Sequence, residues 1–283
     1  MGKDTLQVAP RLEQAKRYHA AGRLAEAELL FRKVLSDEPG NAEALHALGI
    51  LMGSRGDFPR AIEALEEAIV IAPKCAHYYT SLASLLVQLG DWDRANECYQ
   101  TSLYIQPLNA GAIEALADLA ERRENYFDAI RYWQDALSLT RNRGEVLRRL
   151  ARVLTSAGLV DDACAAYDKA RDVRPYDARL AKEYADLLLS CGRNAVCEEV
   201  LCDIHSYYPF DPDIRRRLGV LYFRNEMYDE ALAAFEVALE VAPHHRQTLI
   251  DYAVCLKTMG DDRSAEQVLR RIEAVGRAEH GGV

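Results

Sequence analysis

Apolar and small residues recur along this chain on two nested periods. In the stretch AEALHALGILMGSRG they fall at Leu45, Leu48, Gly49 and Met52, its positions 4, 7, 8 and 11. With helical residues about 100° apart, those positions share an arc roughly 100° wide, one face of an amphipathic helix. Gly56 follows at the point where a left-handed residue would close the last turn. The next stretch, FPRAIEALEEAIVIAP, sets Ala61, Leu65 and Ala68 on one face. It carries Pro59 in its opening turn, where proline is tolerated, and stops at Pro73. No segment alternates apolar and polar residues as a half-buried strand would. The pattern predicts helices only, arranged in pairs.

The pair then repeats. Proline returns every 34 residues at Pro39, Pro73 and Pro107, and again at Pro175, Pro209 and Pro243, missing only the place of Arg141. Ala27, Ala61, Ala95, Ala129, Ala163, Cys197, Ala231 and Ala265 keep the same step. Asn41, Asn109, Asp177 and Asp211 stand where a new pair needs an N-cap. Two ladders in one phase mark a supersecondary unit copied eight times, hence a stack in which each copy packs on its neighbours. The phase sets repeats at 8–41, 42–75, 76–109, 110–143, 144–177, 178–211, 212–245 and 246–279, with an N-terminal extension at 1–7 and a tail at 280–283. The lapse at Arg141 marks a candidate bend in the stack.

Within the repeat, small residues at positions 8 and 20 (Gly49 with Ala61, Gly219 with Ala231) allow the paired helices to approach closely. A large residue at position 24 (Phe31, Tyr99, Trp133, Tyr167, Phe235) fills the space beside them. The best-formed copy, RLGVLYFRNEMYDEALAAFEVALEVAP, carries Leu218, Gly219, Tyr222, Ala231, Phe235, Ala238 and Pro243. This set resembles the tetratricopeptide repeat, whose 34-residue period and Leu-Gly, Tyr, Ala, Phe and Pro landmarks run here over residues 8–279. The resemblance implies an all-α, right-handed α-solenoid (a superhelix) of eight helix-turn-helix repeats. It also implies that first helices line a concave groove and second helices lie outside. The first two repeats are similar, further, to those fused to bacterial glycosyltransferases and sulfotransferases.

Composition narrows the function classes. A net charge of −9 argues against sequence-independent binding to nucleic acid, which draws its affinity from basic excess. No apolar run nears the roughly 18 residues of a membrane span, and the N-terminus has no signal-peptide core. Gly2 is followed by Leu6 where a myristoylation signal needs Ser or Thr. The seven cysteines include no C-x-x-C pair and read as small apolar packing residues, with Cys197 in an alanine place. Cys191, Cys197 and Cys202 are their nearest approach to a metal cluster. Reduced thiols without a secretion signal point to the cytoplasm. With no phosphate loop, nucleophile elbow or paired catalytic carboxylates outside the repeats, no cofactor, metal or catalytic residue is expected.

Opposite the core stripe of each first helix lie positions 2, 5, 6, 9, 12 and 13, the predicted groove lining. In repeats one to three this lining is neutral and mixed, with Leu12, Lys16, His19, His46, Ile50, His77, Thr80, Ser84 and Gln88 as ordinary polar or apolar lining. Repeat four turns acidic at Glu114, Asp118 and Glu121, partly offset by Arg122. Repeats five to seven turn basic at Arg148, Arg149, Arg152, Arg179, Lys182, Arg216, Arg217 and Arg224, against Glu145, Glu183, Asp186 and Asp213. Cations gathered on one face of an acidic protein predict a trough for an acidic segment, a carboxylate terminus or a phosphorylated peptide. The competing reading pairs these cations with carboxylates on adjacent helices. The resemblance brings two groove templates, and the residues match neither. The Lys/Asn carboxylate clamp of positions 5 and 9 reads at best Arg148/Arg152, and the asparagine ladder of position 6 reads Glu13, Ala47, Ser81, Ala115, Arg149, Glu183, Arg217 and Asp251.

The expected function is a non-enzymatic scaffold or adaptor for a peptide or protein partner. The alternative is a recognition subunit for a separately encoded enzyme such as a glycosyltransferase, and an RNA-binding helical repeat ranks below it. Any activity would be borrowed. A last helix is expected from about Ser264 to Val275, its Val268, Leu269 and Ile272 forming an apolar flank to be covered by self-association or a partner.

Overall fold

The computed structural model describes residues 7–280, with side chains through Glu273; sixteen helices follow one another and no strand occurs among the described residues. The extension, the tail and Gly2 lie outside the described residues, except for Gln7 and His280. The first helices of the pairs are α1 (Val8–Ala20), α3 (Ala42–Ser54), α5 (Ala76–Leu89), α7 (Ala110–Arg122), α9 (Arg143–Ser156), α11 (Ala178–Ser190), α13 (Pro212–Arg224) and α15 (Arg246–Thr258). The second helices are α2 (Leu24–Asp37), α4 (Phe58–Ile71), α6 (Trp92–Ile105), α8 (Tyr126–Leu139), α10 (Val160–Val173), α12 (Asn194–Tyr207), α14 (Tyr228–Val241) and α16 (Asp262–His280). The chain forms two compact bodies, Met1–Thr140 and Arg141–Val283, holding α1–α8 and α9–α16. Their division falls where the proline ladder lapses.

Local chemistry sets the helix ends. Asn41 and Asn109 accept the backbone N–H of Ala44 and Ala112, and Asp177 and Asp211 accept those of Leu180 and Ile214. Each thereby satisfies a donor that the first turn leaves open. First helices close on a left-handed residue: Gly22, Gly56, Gly90, Gly158, Gly192 and Gly260 have φ between 74° and 83°. In repeats four and seven that place belongs to Glu124 and Glu226, at φ 58° and 62°, where a Cβ makes the conformation costly.

Packing inside a repeat follows the small-large pattern. Phe31, Tyr99, Trp133, Tyr167 and Phe235 are all buried. A Cβ on Gly49 would come within 2.9 Å of Leu65 Cγ, and one on Gly219 within 2.6 Å of Phe235 Cε1, so these two places must stay bare, whereas the other six repeats carry alanine at position 8. Packing between repeats uses position 10, which the amphipathic stripe leaves out. Leu51, Leu85, Leu119, Leu187, Leu221 and Cys255 occupy it and are buried. Leu51 joins the cluster around Phe31, Leu85 that around Leu65, and Cys255 that around Phe235, each belonging to the preceding repeat. Arg17 holds the same position in the first repeat and is exposed.

The last helix differs from expectation. It runs past Val275 to His280. Val268 is buried against Leu249, Ala253, Leu256 and Ala265, with Ile272 packed at the edge of that cluster. Of the three residues assigned to an apolar flank, Leu269 is the one left largely in water, at 47% exposure.

Candidate functional site

The basic face of the C-terminal body is built from ion pairs that run between repeats. Arg148, expected to face a ligand, has 2% exposure and spends its donors internally. Its Nη1 donates to Glu183 Oε1 and Oε2 at 2.6 and 2.7 Å, and its Nη2 and Nε donate to Glu145 at 2.6 and 3.1 Å. Burial pulls its pKa down, but the hydrogen bonds and charges of the two carboxylates outweigh that and hold it above the ordinary value. The hydrogen bond from Arg148, then the charges of Arg148 and Arg149, hold the Glu145 carboxyl at about 2 against the opposing effect of burial. Arg216 Nη1 meets Asp251 Oδ2 at 2.8 Å, the same step from position 5 to position 6 of the next first helix.

The remaining cations are joined through shared carboxylates. Arg149 reaches Glu145 at 3.2 Å, and Arg179 reaches Glu183 at 3.2 Å while staying largely exposed. Lys182 meets Asp211 at 3.1 Å and Asp213 at 3.4 Å. Arg217 grips Asp186 through two hydrogen bonds of 2.8 and 2.7 Å. Arg224 donates to the Leu189 carbonyl, and Arg152 lies half-buried on α9. In the N-terminal body Glu114, Asp118 and Glu121 lie half-buried along α7. The trough read from single slots is therefore largely neutralised. Reading the slots in pairs would have exposed this, because a cation at position 5 faces position 6 of the next repeat, where Glu183 and Asp251 stand.

The neutral stretch of the N-terminal body is shaped differently. Between α3 and α5 lies a cavity of about 300 Å³ lined by Gly49, Ile50, Gly53, Ser54, Leu65, Ser81, Ser84, Leu85 and Gln88. Ile50, Gly53, Ser54, Ser81, Ser84 and Gln88 occupy predicted groove positions. Gly53 sets its depth, since a Cβ there would come within 2.8 Å of Leu85 Cδ1. Ser84 donates to the Thr80 carbonyl at 3.0 Å and bonds the Tyr99 hydroxyl at 3.1 Å, which fixes its orientation at the rim. Of the expected lining, Leu12 lies in the core beside Phe31, and His46, beside the cavity, is buried as well. Its Nε2 lies 2.9 Å from Ser81 Oγ, again linking position 5 to position 6, and its ring stacks on Tyr78 and meets His77 edge-on, each at 4.7 Å. Burial, then the nearby His77 charge, lowers its pKa to about 4, so it is neutral at physiological pH. Among the described residues no group of three His, Cys, Asp or Glu side chains is placed to hold a metal. Cys164, Cys197 and Cys255 are core residues, whereas Cys191 and Cys202 are exposed.

Comparison with known proteins decides the family. The model for the cytochrome c-type biogenesis protein H TPR domain matches residues 10–145, and two tetratricopeptide repeat models match residues 114–178 and 222–279. The chain belongs to the tetratricopeptide-repeat family. Among solved structures, the C-terminal part of a TPR repeat-containing protein from Cytophaga hutchinsonii aligns with a TM-score of 0.74 at 13% identity, over 85% of this chain and 98% of that one. YrrB, described as a TPR protein with an unusual peptide-binding site, aligns with a TM-score of 0.56 at 22% identity, over 66% and 97%. MamA from Desulfovibrio magneticus RS-1 aligns with a TM-score of 0.54 at 19% identity, over 60% and 96%. These likenesses establish the fold. No curated protein matches the sequence significantly. No helix among the described residues is long and apolar enough to cross a membrane.

Proposed function

We propose that this tetratricopeptide-repeat protein is a non-enzymatic scaffold that holds an extended segment of a partner protein against its first helices, at the cavity between α3 and α5. The observation that carries the reading is the cavity itself, uncharged and lined by three serines, a glutamine and aliphatic side chains. Such a site suits backbone amides and small side chains, the elements of peptide recognition. YrrB, which shares the fold, is a peptide binder by its description.

A second reading places an acidic segment at Arg149, Arg179, Lys182, Arg216 and Arg217. It is favoured by the solvent-facing Arg179 guanidinium, 67% exposed and held by a single carboxylate. A ligand carboxylate there must displace an existing partner, so its gain is the difference between two similar pairs. The same face has little to offer a nucleic-acid backbone, and the net charge of −9 opposes one further. Self-association through the last repeat has Leu269 to work with, because Val268 and Ile272 pack inside the repeat. Seven thiols, three of them in the core, suit the reducing cytoplasm. In a recognition subunit for a separately encoded enzyme, such as a glycosyltransferase, the same cavity would hold the client.

Ser84→Trp tests the reading. Ser84 is exposed at the rim, so the indole fills the cavity without entering the core. Captured partners, identified by mass spectrometry after affinity purification from the native host, should fall at least tenfold with helical circular dichroism unchanged. An undiminished set of partners refutes the cavity as the site.

A further inference from the structure

A row of exposed aromatic residues runs along an edge of the C-terminal body that the groove reading leaves unused. Tyr176 and Phe210 hold position 33 of repeats five and six, and Tyr207 holds position 30. Their exposures are 55%, 77% and 55%, with Val173 and Val241 at position 30 of neighbouring repeats half in water as well. Position 33 sits in the turn after a second helix, away from the first-helix face. An exposed apolar edge of this kind is uncommon on a surface with no task.

The edge has a built centre. Tyr176 and Tyr207 are tilted by 48° with ring centroids 4.2 Å apart, and the Tyr208 hydroxyl donates to the Tyr176 carbonyl at 3.0 Å. Together with Arg171, Asp172, Pro175, Asp203 and Ser206 the two rings line a cavity of about 500 Å³ between the ends of α10 and α12. Its charge is negative. Arg171 is already satisfied by Glu199 at 2.6 Å and Asp203 at 3.2 Å. Asp172 is exposed and forms no ion pair among the described residues, so in the lining one cation stands against two carboxylates.

Aromatic faces attract cations through their quadrupole, and a guanidinium both stacks on a ring and pairs with a carboxylate in its own plane. We infer that this aromatic and acidic cavity binds an arginine side chain carried on an extended segment of a partner protein. The site is independent of the cavity between α3 and α5.

The test uses the full chain and a fluorescein-labelled Gly/Ser peptide with a central Arg-Gly-Arg, followed by anisotropy at low salt. Saturable binding at millimolar concentration or tighter is expected, weaker with lysines in place of the arginines and absent with glutamates. Tyr207→Ala and, independently, Asp172→Lys should each weaken it roughly fivefold to tenfold. The second substitution is on an exposed side chain and leaves the aromatic pair in place, so it tests the charge without disturbing the fold. Ser84→Trp should leave the affinity unchanged. No saturation with the arginine peptide, equal binding of the glutamate peptide, unchanged affinity in both cavity variants, or loss of binding in Ser84→Trp would each overturn the assignment.

Discussion

Arg148→Met replaces a guanidinium that is almost fully enclosed and makes four short hydrogen bonds to Glu145 and Glu183. Leaving a fully buried partner without its counter-charge costs about 3–5 kcal/mol. Here the carboxylates keep 28% and 23% of their side-chain surface in water. Arg149 and Arg174 still reach Glu145, and Arg179 still reaches Glu183. Rehydration and these second partners bring the expected loss to roughly 2–3 kcal/mol at pH 7. The pH dependence carries a sign. Glu145 is held at about 2 rather than 4.5. A depressed carboxyl stabilises the folded state above its unfolded pKa, so its contribution is full above about pH 5 and fades as pH falls from 4.5 towards 2. At face value that contribution is ~3 kcal/mol, and solvent screening of a partly exposed carboxylate reduces it to about 1–2 kcal/mol. The gap between wild type and Arg148→Met should therefore narrow on acidification, because protonated carboxyls no longer need the cation. Urea unfolding followed by far-ultraviolet circular dichroism at pH 7, 5 and 3.5 measures it. A double-mutant cycle with Glu183→Gln isolates the pair, which matters because repeat arrays can unfold in steps. A loss below about 1 kcal/mol at pH 7, or a gap that holds constant or widens with falling pH, would refute the argument.

Glu124→Gly and Glu226→Gly should each stabilise the fold by up to about 1 kcal/mol, since glycine relieves the left-handed strain at more than the entropy it costs; thermal melts decide. Gly219→Ala should cost roughly 1–3 kcal/mol, because the new Cβ would overlap the Phe235 ring; a melting temperature unchanged from wild type would contradict it. Asn109→Ala should cost about 1–2 kcal/mol. It removes both the cap of α7 and the Nδ2 bond to the buried Ser102 hydroxyl at 3.0 Å, and hydrogen exchange should quicken at the start of α7 first. Thiol titration of the native protein should modify Cys191 and Cys202 rapidly, whereas Cys164, Cys197 and Cys255 should react only on unfolding. Burial pushes the Cys197 thiol up to about 12, so uniform labelling kinetics would count against its core position.

Much of this molecule could be read from its residues in order. Helix starts at Asn41 or Asp211 and stops at Gly56 or Gly90 depend on groups within a few residues of each other, and a copied unit repeats those signals in phase. The small-large fit of Gly219 with Phe235 also lies within one helix pair, so the spacing of two residue types was enough to expect it. Position 10 was not legible in this way. Leu51 and Leu85 fall beside the stripe of their own helix and are buried by the preceding repeat, a surface that exists only once the copies stack. The groove charges belong to the same class. Arg148 and Glu183 are 35 residues apart, and whether a cation offers itself to a ligand or is consumed by a neighbour depends on which positions stacking brings within hydrogen-bond reach. The aromatic edge at Tyr176 and Tyr207 required both kinds of information, since its period is visible in the repeat but its rings and carboxylates converge only across the ends of α10 and α12. Periodicity encodes the helices because their bonds are local; the partner surfaces depend on side chains meeting between copies, and that is set by tertiary packing.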